Sequence, residues 1–436
     1  MLLAELHRDE PDLMAVLRRR AAGWCSSNDL PEDALEYSIA AGDVDTAACL
    51  VEKLGVPTHR QGRFATLDRW FRWLEDRDGI DGHPMAAVLA ALFSAMTGRP
   101  AEAERWADMV DRWQYSDTTR AGNPYAAAHA AILRALMCRR GVERMRADAD
   151  EAVRRCAAEN ILTPAPALYQ GIARVLGGDL DGGDACFEAA VSAGEQAGAH
   201  ETLVVTLCER SLVAMAFGQW DRAEALASQA GAVLRQAGIE ESYSAPLVST
   251  VQARAAMHRR DVRAARQELV RAQRLRPLLT YAMPQLALQA RIELARVHLA
   301  LADAAGAKTL LLEAEELLSR RPGMGTLVSE ARALWDQLPD ERGASHPGAS
   351  SLTTAELRIL PLLVTHLSFA EIADQLFLSP HTVKSQATSI YRKLAVSSRS
   401  QAVACCHELG LLGDHGPPYS VFPARSRSPV TRWPRR

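Results

Sequence analysis

The chain has 436 residues, 48% of them hydrophobic and only 6% aromatic, which allows a large core and suggests two to three domains. Its net charge of −3 excludes a polybasic protein, so any contact with nucleic acid must come from one local face. Alanine and leucine dominate, which predicts an all-α protein. There is no signal peptide or membrane span, and the eight cysteines lack zinc spacing, so we expect a cytoplasmic protein.

Residues 1–84 are predicted to form an N-terminal helical segment. Ala40–Gly55 carries a small-residue turn followed by an apolar helix, as the later repeats do. Further on, Trp70, Trp73 and Leu74 have the i, i+3, i+4 spacing of one helical face. This spacing favours a place in the core over an aromatic cage for a ligand.

Residues 85–338 are predicted to form a helical-hairpin, TPR-like solenoid. A small-residue turn between two amphipathic helices recurs with a period of about 40 residues, which is typical of such solenoids. The turns lie at Gly98, Gly141, Gly178, Gly218, Arg260 and Ala302. Because no hairpin can bury its apolar face alone, the hairpins must stack. Their extended concave face would then hold any small-molecule effector or protein partner.

Two segments are predicted to lack regular structure. Residues 339–351 are rich in Pro, Gly and Ser, which indicates a flexible linker. Residues 413–436 have no apolar periodicity and are expected to form a disordered basic tail. The arginines of this tail could touch phosphates, although a solvated tail is favoured.

Residues 352–412 are predicted to contain four short helices, because four helix-start signals occur in about 50 residues. Three of them are capping boxes, in which a hydroxyl and an acid or amide satisfy free backbone N–H groups. The fourth is a serine followed by proline at the first helical position. These starts are Thr353-x-x-Glu356, Ser368-x-x-Glu371, Ser379-Pro380 and Ser398-x-x-Gln401. Only Phe377-Leu378 joins the second and third helices, which indicates a helix-turn-helix.

The third helix of this domain, 380–394, has two distinct faces. Its apolar face consists of Val383, Ala387, Ile390 and Leu394 and is predicted to lie in the core. The opposite face is polar or basic and carries no acid, which is the profile that a recognition helix needs. That face consists of His381, Lys384, Ser385, Thr388 and Arg392. Two of the four lysines of the chain, Lys384 and Lys393, lie on this helix.

Residues 352–403 resemble the LuxR-type helix-turn-helix. The family pattern LT-x-x-E, L-S-x-x-E-I-A, S-x-x-T-V-K and I-x-x-K-L-x-V-x-S-R-x-x-A-V is met throughout this segment. Three positions depart from it: Ala355 replaces a common Arg, Gln386 a common His, and His366 a Gly that usually ends the first helix. A left-handed conformation at His366 would cost about 1 kcal/mol.

The resemblance implies roles for seven side chains in binding DNA. Lys384, Ser385 and Thr388 occupy the base-reading positions. Thr382, His381, Arg392 and Lys393 would hold phosphates. Dimers on paired half-sites are expected, since a four-helix module alone buries too little surface for tight and selective binding.

The upstream repeats are similar to the helical-repeat domain of large MalT-like LuxR-type regulators. In those proteins a P-loop ATPase precedes the repeats. Here a Walker A loop is missing, because no lysine of the chain follows a glycine. We therefore expect the C-terminal part of such a regulator, either as a natural short form or because the start is misplaced.

The sequence predicts a DNA-binding transcription regulator whose repeats sense an effector or dock a partner. No catalytic, metal-binding or cofactor motif is present, so we expect no enzymatic activity and no cofactor. The main alternative is a protein-interaction adaptor with a vestigial DNA-binding domain. The acid-free outer face of 380–394 argues against such decay.

Overall fold

The computed structural model describes residues 11–60, 63–77, 80, 82–115, 124–338 and 348–412. All regular elements of these residues are helical, as predicted from the composition. The helices are α1 Pro11–Ser27, α2 Pro31–Ala41, α3 Val44–Arg60, α4 Phe64–Glu75, α5 Pro84–Met96, α6 Pro100–Tyr115, α7 Pro124–Met137, α8 Val142–Ala158, α9 Ala165–Leu176, α10 Leu180–Ala197, α11 His200–Ala216, α12 Trp220–Gln236, α13 Ala245–His258, α14 Val262–Leu275, α15 Pro284–Ala300, α16 Ala304–Arg320, α17 Thr326–Trp335, α18 Thr354–Leu363, α19 Phe369–Leu376, α20 Pro380–Lys393 and α21 Arg399–Glu408.

Helices α5 to α16 form six antiparallel hairpins. The hairpins stack through contacts between their first helices and through contacts of the second helices α8, α10 and α12 with the first helix of the next hairpin. The first helices are inner elements; in α15 nearly every residue is buried. The second helices are amphipathic. In α14, for example, Ala265, Leu269, Ala272 and Leu275 form one buried face. This division into two layers is what stacked hairpins require.

Every hairpin turns at a residue in the left-handed conformation. These residues are Gly98 (φ 73°), Cys138 (φ 41°), Gly178 (φ 93°), Gly218 (φ 72°), Arg260 (φ 61°) and Ala302 (φ 58°). A left-handed residue ends an α-helix because its own N–H and that of the next residue donate back to carbonyls of the last turn, as Gly218 and Gln219 donate to Met215 and Ala214. In three turns the next residue is an aspartate, as at Asp303, whose side chain accepts from the Gly306 amide at 2.9 Å. The predicted 40-residue period therefore corresponds to a repeated helix stop and start.

The solenoid curves so that the loop between α16 and α17 contacts earlier hairpins. The Val142 amide donates to the Gly323 carbonyl at 2.8 Å. A Cβ atom at Gly325 would lie 2.1 Å from the Leu176 carbonyl oxygen, so only glycine fits this approach. One continuous core extends from Cys25 to Leu334. The helices of the N-terminal segment therefore pack into the same body as the repeats.

A second core, from Leu352 to Leu411, belongs to helices α18–α21, and Val270 of α14 packs against it. The predicted linker and tail lie mostly outside the described residues. Residues 349–351 of that linker form a 3₁₀ turn, which is a difference from the prediction of an unstructured segment. In the described parts of the chain, no helix has the length and apolar character that crossing a lipid bilayer would require.

A polar cluster, which we call the junction, joins the repeats to the C-terminal domain. It consists of Arg276, Arg291, Glu313 and Thr354. Glu313 accepts from the Thr354 amide at 2.6 Å and from its hydroxyl at 2.8 Å. The same carboxylate lies 2.9 Å from Arg291 and 3.4 Å from Arg276, both almost fully buried. The first helical residue of α18 is thereby held against the solenoid.

Candidate nucleic-acid interface

The C-terminal domain is built from helices with well-defined starts. Thr353 accepts from the Glu356 amide at 3.3 Å, and Glu356 accepts from the Thr353 amide at 2.8 Å. Ser368 and Glu371 form the same capping box with the same distances. Because each capping box satisfies two backbone donors, it fixes where the helix begins. These two predictions are confirmed.

The two remaining starts are also capped, with one difference. The Ser379 hydroxyl accepts from the Thr382 amide at 3.0 Å at the start of α20. Ser398 accepts from the Gln401 amide at 3.3 Å, but Gln401 accepts from the Ser397 amide at 2.9 Å and not from Ser398. The last predicted capping box is therefore only half formed, because the Gln401 side chain accepts from the backbone N–H of Ser397, the residue before the cap.

The turn between α19 and α20 is as short as predicted. Phe377 ends α19 in the left-handed conformation with a φ of 54°, and its side chain is 74% exposed. Leu378 follows, and Ser379 then caps α20. A bulky residue rarely adopts this conformation, so the turn is held by its surroundings. This geometry brings α20 across α19, as in a helix-turn-helix.

Helix α20 separates its two faces as the sequence predicts. Val383, Ala387 and Ile390 are buried in the second core. The residues at the opposite spacing, His381, Lys384, Ser385, Thr388 and Arg392, are all exposed. No acidic residue lies on α20, so the charged side chains that this helix contributes to the face are all basic. We call these five residues the outer face of α20.

The hydroxyl groups near this face have local partners that orient them. Thr388 donates to the Lys384 carbonyl at 2.9 Å, which leaves its oxygen free to accept. The Thr382 hydroxyl lies 2.8 Å from that of Ser379, and Thr382 is half-buried at the start of the helix. A helix N-terminus concentrates partial positive charge, which favours a phosphate beside it. Thr382 lies at this N-terminus, and its contact with a phosphate stays a prediction.

Lys393 requires a correction. Its side chain is only 15% exposed, and its ammonium lies 2.7 Å from the Glu356 carboxylate. The same ammonium donates to the Ser351 carbonyl at 2.7 Å. These contacts direct Lys393 into the domain, where it fixes the start of α18 and faces away from the outer face of α20. The phosphate contact expected for Lys393 is therefore replaced by a structural role.

Arg399 has a role that sequence analysis did not assign. Its guanidinium donates to the carbonyls of Leu362, Leu363, Thr365 and Leu367 at 2.7–3.1 Å. It thereby satisfies acceptors left free where α18 ends. His366 lies in this turn without adopting the left-handed conformation, so the expected strain is not incurred. The signal that could have found this role is the arginine of the motif S-R-x-x-A-V.

Comparison with known proteins agrees with this geometry. Residues 350–406 match the family described as bacterial regulatory proteins, luxR family. This segment is a luxR-family domain. The chain is also 38% identical, over 72 residues, to the transcriptional regulatory protein YdfI of Bacillus subtilis (strain 168). That match covers 16% of this chain, and the chain spans only about a third, 34%, of the length of the relative.

Two solved structures resemble the chain more remotely. BtubC from P. vanneervenii has a TM-score of 0.32 and 19% identity, with 57% of this chain and 96% of that chain covered. Yeast Tom70 has a TM-score of 0.31 and 13% identity, with 75% of this chain and 97% of that chain covered. Scores this low do not define a common fold. The solenoid is therefore described from its own hairpins.

Proposed function

We propose that this chain is a sequence-specific transcription regulator that reads DNA through the outer face of α20. The observation that carries the proposal is the exposed, acid-free surface of that helix within a luxR-family domain. Lys384 can donate to guanine O6 or N7, while Ser385 and Thr388 contact neighbouring base edges. Thr382, His381 and Arg392 bind phosphates, which fixes the position of the helix in the major groove.

The proposal includes the repeats and the assembly. The solenoid senses an effector or docks a partner, because it presents an inner layer of helices and is joined to the DNA-binding domain at the junction. Two copies bind paired half-sites, since one four-helix module offers little surface. The chain works in the cytoplasm, where bacterial DNA lies, and it acts by binding and not by catalysis or through a cofactor. Its kinship with MalT-like regulators remains a prediction.

The test removes one charge from the outer face of α20. A duplex is first selected from a random pool by the parent protein, and both this duplex and random DNA are titrated at several salt concentrations. Lys384→Ala should weaken binding to the selected duplex by about 1–3 kcal/mol and blur selection at one base pair. Arg392→Ala should weaken binding to all sequences and lower the salt slope by about one.

The matched control is Lys53→Ala, which removes the same charge from an exposed position of α3. It should bind both kinds of duplex like the parent protein. Circular dichroism confirms that each variant is folded. If folded Lys384→Ala binds the selected duplex as tightly as the parent, DNA is not read through this face, and the adaptor hypothesis becomes the better one.

A further inference from the structure

Helices α3 and α4 of the N-terminal segment, the first helices α5, α7, α9, α11 and α15, and loops between hairpins line a cavity of about 420 Å³. Ligand sites for small molecules usually measure roughly 300–1,000 Å³ and have mostly apolar walls. The wall here is largely aliphatic and aromatic, with Phe71, Leu92 and Ile172 among its residues. None of its described lining residues comes from the second helices α6, α8, α10, α12, α14 and α16. The N-terminal segment and the inner layer of the solenoid therefore share the cavity.

Polar side chains also lie in this wall, among them His59, Tyr169, Glu201 and Tyr243. The nearest atoms of His59 and Glu201 are 3.6 Å apart, which is too far for a hydrogen bond. His59 Nε2 has no hydrogen-bond partner in the described part of the chain. Burial raises the pKa of Tyr243, and Glu201 and Tyr169, which line the same cavity, raise it further. We call these four residues the polar group of the cavity.

These polar side chains lower the stability of the folded chain unless they have hydrogen-bond partners. Buried polar atoms almost always have a hydrogen-bond partner, and an atom left without one destabilises the folded chain. Burial also raises the pKa of Glu201, an effect that His59 only partly opposes. The carboxylate of Glu201 faces the cavity as a hydrogen-bond acceptor.

The charges of the wall restrict what can bind. No lysine or arginine is among the residues that the structure shows lining the cavity. His129 is not a substitute, because burial lowers its pKa and its Nδ1 lies 2.8 Å from the Tyr125 carbonyl. His59 lies 3.6 Å from Glu201 and already opposes its charge, so an anionic ligand would find no lysine or arginine among the described lining residues to offset that carboxylate, which is unfavourable in an apolar site.

We propose that this cavity binds a small, largely apolar molecule that carries no negative charge and donates an N–H or O–H hydrogen bond to Glu201. The two tyrosine hydroxyls and His59 complete its polar contacts, and the aliphatic wall supplies most of the binding free energy. The role of this molecule as an effector of transcription rests on the proposed function, whereas its binding does not.

The test uses two fluorescent probes with the same aromatic body. N-phenyl-1-naphthylamine is neutral and has one N–H donor, and 8-anilino-1-naphthalenesulfonate adds a sulfonate. Titration of the full chain should show saturable binding of the neutral probe at one site, with an affinity at least tenfold higher than that of the anionic probe. Equal affinities, or no saturable binding of the neutral probe, would overturn the proposal.

Two variants locate the site. Leu92→Trp fills part of the cavity from a half-buried position and should weaken binding of the neutral probe at least tenfold. Its matched control is Leu312→Trp, which makes the same change at a residue that is 51% exposed and outside the cavity. Glu201→Gln keeps the shape of the side chain without its charge. The ratio of the affinities for the neutral and the anionic probe should therefore fall several-fold.

The results separate this inference from the proposed function. If folded Leu92→Trp binds the neutral probe like the parent, the cavity is not the site, even when DNA binding by the parent is intact. Unchanged discrimination between the probes in Glu201→Gln would also contradict the role of that carboxylate. Conversely, probe binding that follows the variants as expected supports the cavity even in a chain that binds no DNA.

Discussion

Buried carboxylates have opposite environments in two regions of the molecule. At the junction, burial opposes the ionised form of Glu313, but Arg276 and Arg291 outweigh it and lower the pKa of the carboxyl group. Within the repeats, Glu209 is fully buried and is contacted by the carboxamides of Gln285 and Gln289 at 2.6 and 2.9 Å. There burial dominates and raises the pKa to about 7, although both hydrogen bonds lower it.

The difference shows that burial alone does not decide whether an acid is charged. Attraction to two guanidinium groups offsets the free energy of desolvating the Glu313 carboxylate. Hydrogen bonds from neutral amides do not offset the free energy of desolvating the Glu209 carboxylate. The junction is therefore sensitive to the loss of a partner, and the inner layer of the solenoid is sensitive to pH. Each property can be tested by a substitution that leaves the other region untouched.

The largest effect is expected from Glu313→Ala. This variant leaves two nearly fully buried arginines without their carboxylate, and breaking a buried ion pair typically costs about 3–5 kcal/mol. The free energy of unfolding, measured with urea, should fall by that amount. Hydrogen exchange at the Thr354 amide should also accelerate, because this amide donates to Glu313.

The matched control for that substitution is Glu316→Ala on the same helix. The Glu316 side chain is 72% exposed and pairs with Arg320 at 3.8 Å. Exposed pairs of this kind contribute about 0–1 kcal/mol. A similar loss of stability in both variants would show that the junction is not an energetic link between the two regions.

A smaller, pH-dependent effect is expected at Glu209. The pKa of this carboxyl group rises from 4.5, its ordinary value, in the unfolded chain to about 7 in the folded chain, so the folded protein holds the proton more tightly between these values. Stability should therefore fall as the pH rises from about 4.5 to about 7 and then level off, by a total of about 3 kcal/mol. The Glu209→Gln variant should not show this loss of stability with rising pH.

The measurement is a series of urea unfolding curves for both proteins between pH 4 and pH 8. The stability of Glu209→Gln relative to the parent should increase with pH up to about 7, since only the parent must bury an ionising carboxyl group. Glu188→Gln is the control, because the Glu188 side chain is 76% exposed. If the difference in unfolding free energy between Glu209→Gln and the parent stays constant with pH, the pKa of Glu209 is not raised by burial, and the contrast with Glu313 is wrong.

Local features of this fold could be predicted from the sequence, and distant contacts could not. The hairpin turns and the capping boxes depend on residues a few positions apart, so turns such as Gly178 and Gly218 were found directly. The junction joins Glu313 to Thr354, and the cavity is lined by residues from Gly55 to Leu286. Periodicity gives no information about such pairs, because they depend on how the hairpins stack.

Lys393 illustrates the same limit within the DNA-binding domain. The family pattern places a lysine near the end of the recognition helix, and its charge suggests a phosphate. Its partner, Glu356, lies 37 residues earlier, and only the packing of α18 against α20 brings the two together. The outer face of α20 was predicted correctly because helical spacing alone defines it.

The smallest effect is expected from Lys393→Met, since one cation holds Glu356 where two arginines hold Glu313. Methionine keeps an apolar stem of similar length but removes the ammonium that donates to Glu356 and Ser351. The domain should lose about 1.5–3 kcal/mol of stability, the typical contribution of a hydrogen bond to a charged group. The salt slope of DNA binding should stay unchanged, whereas Arg392→Ala lowers it by about one. Thermal unfolding followed by circular dichroism measures the first effect, and titration with random duplex measures the second. If Lys393→Met keeps its stability and its salt slope falls by about one, Lys393 contacts a phosphate, as the family pattern implies.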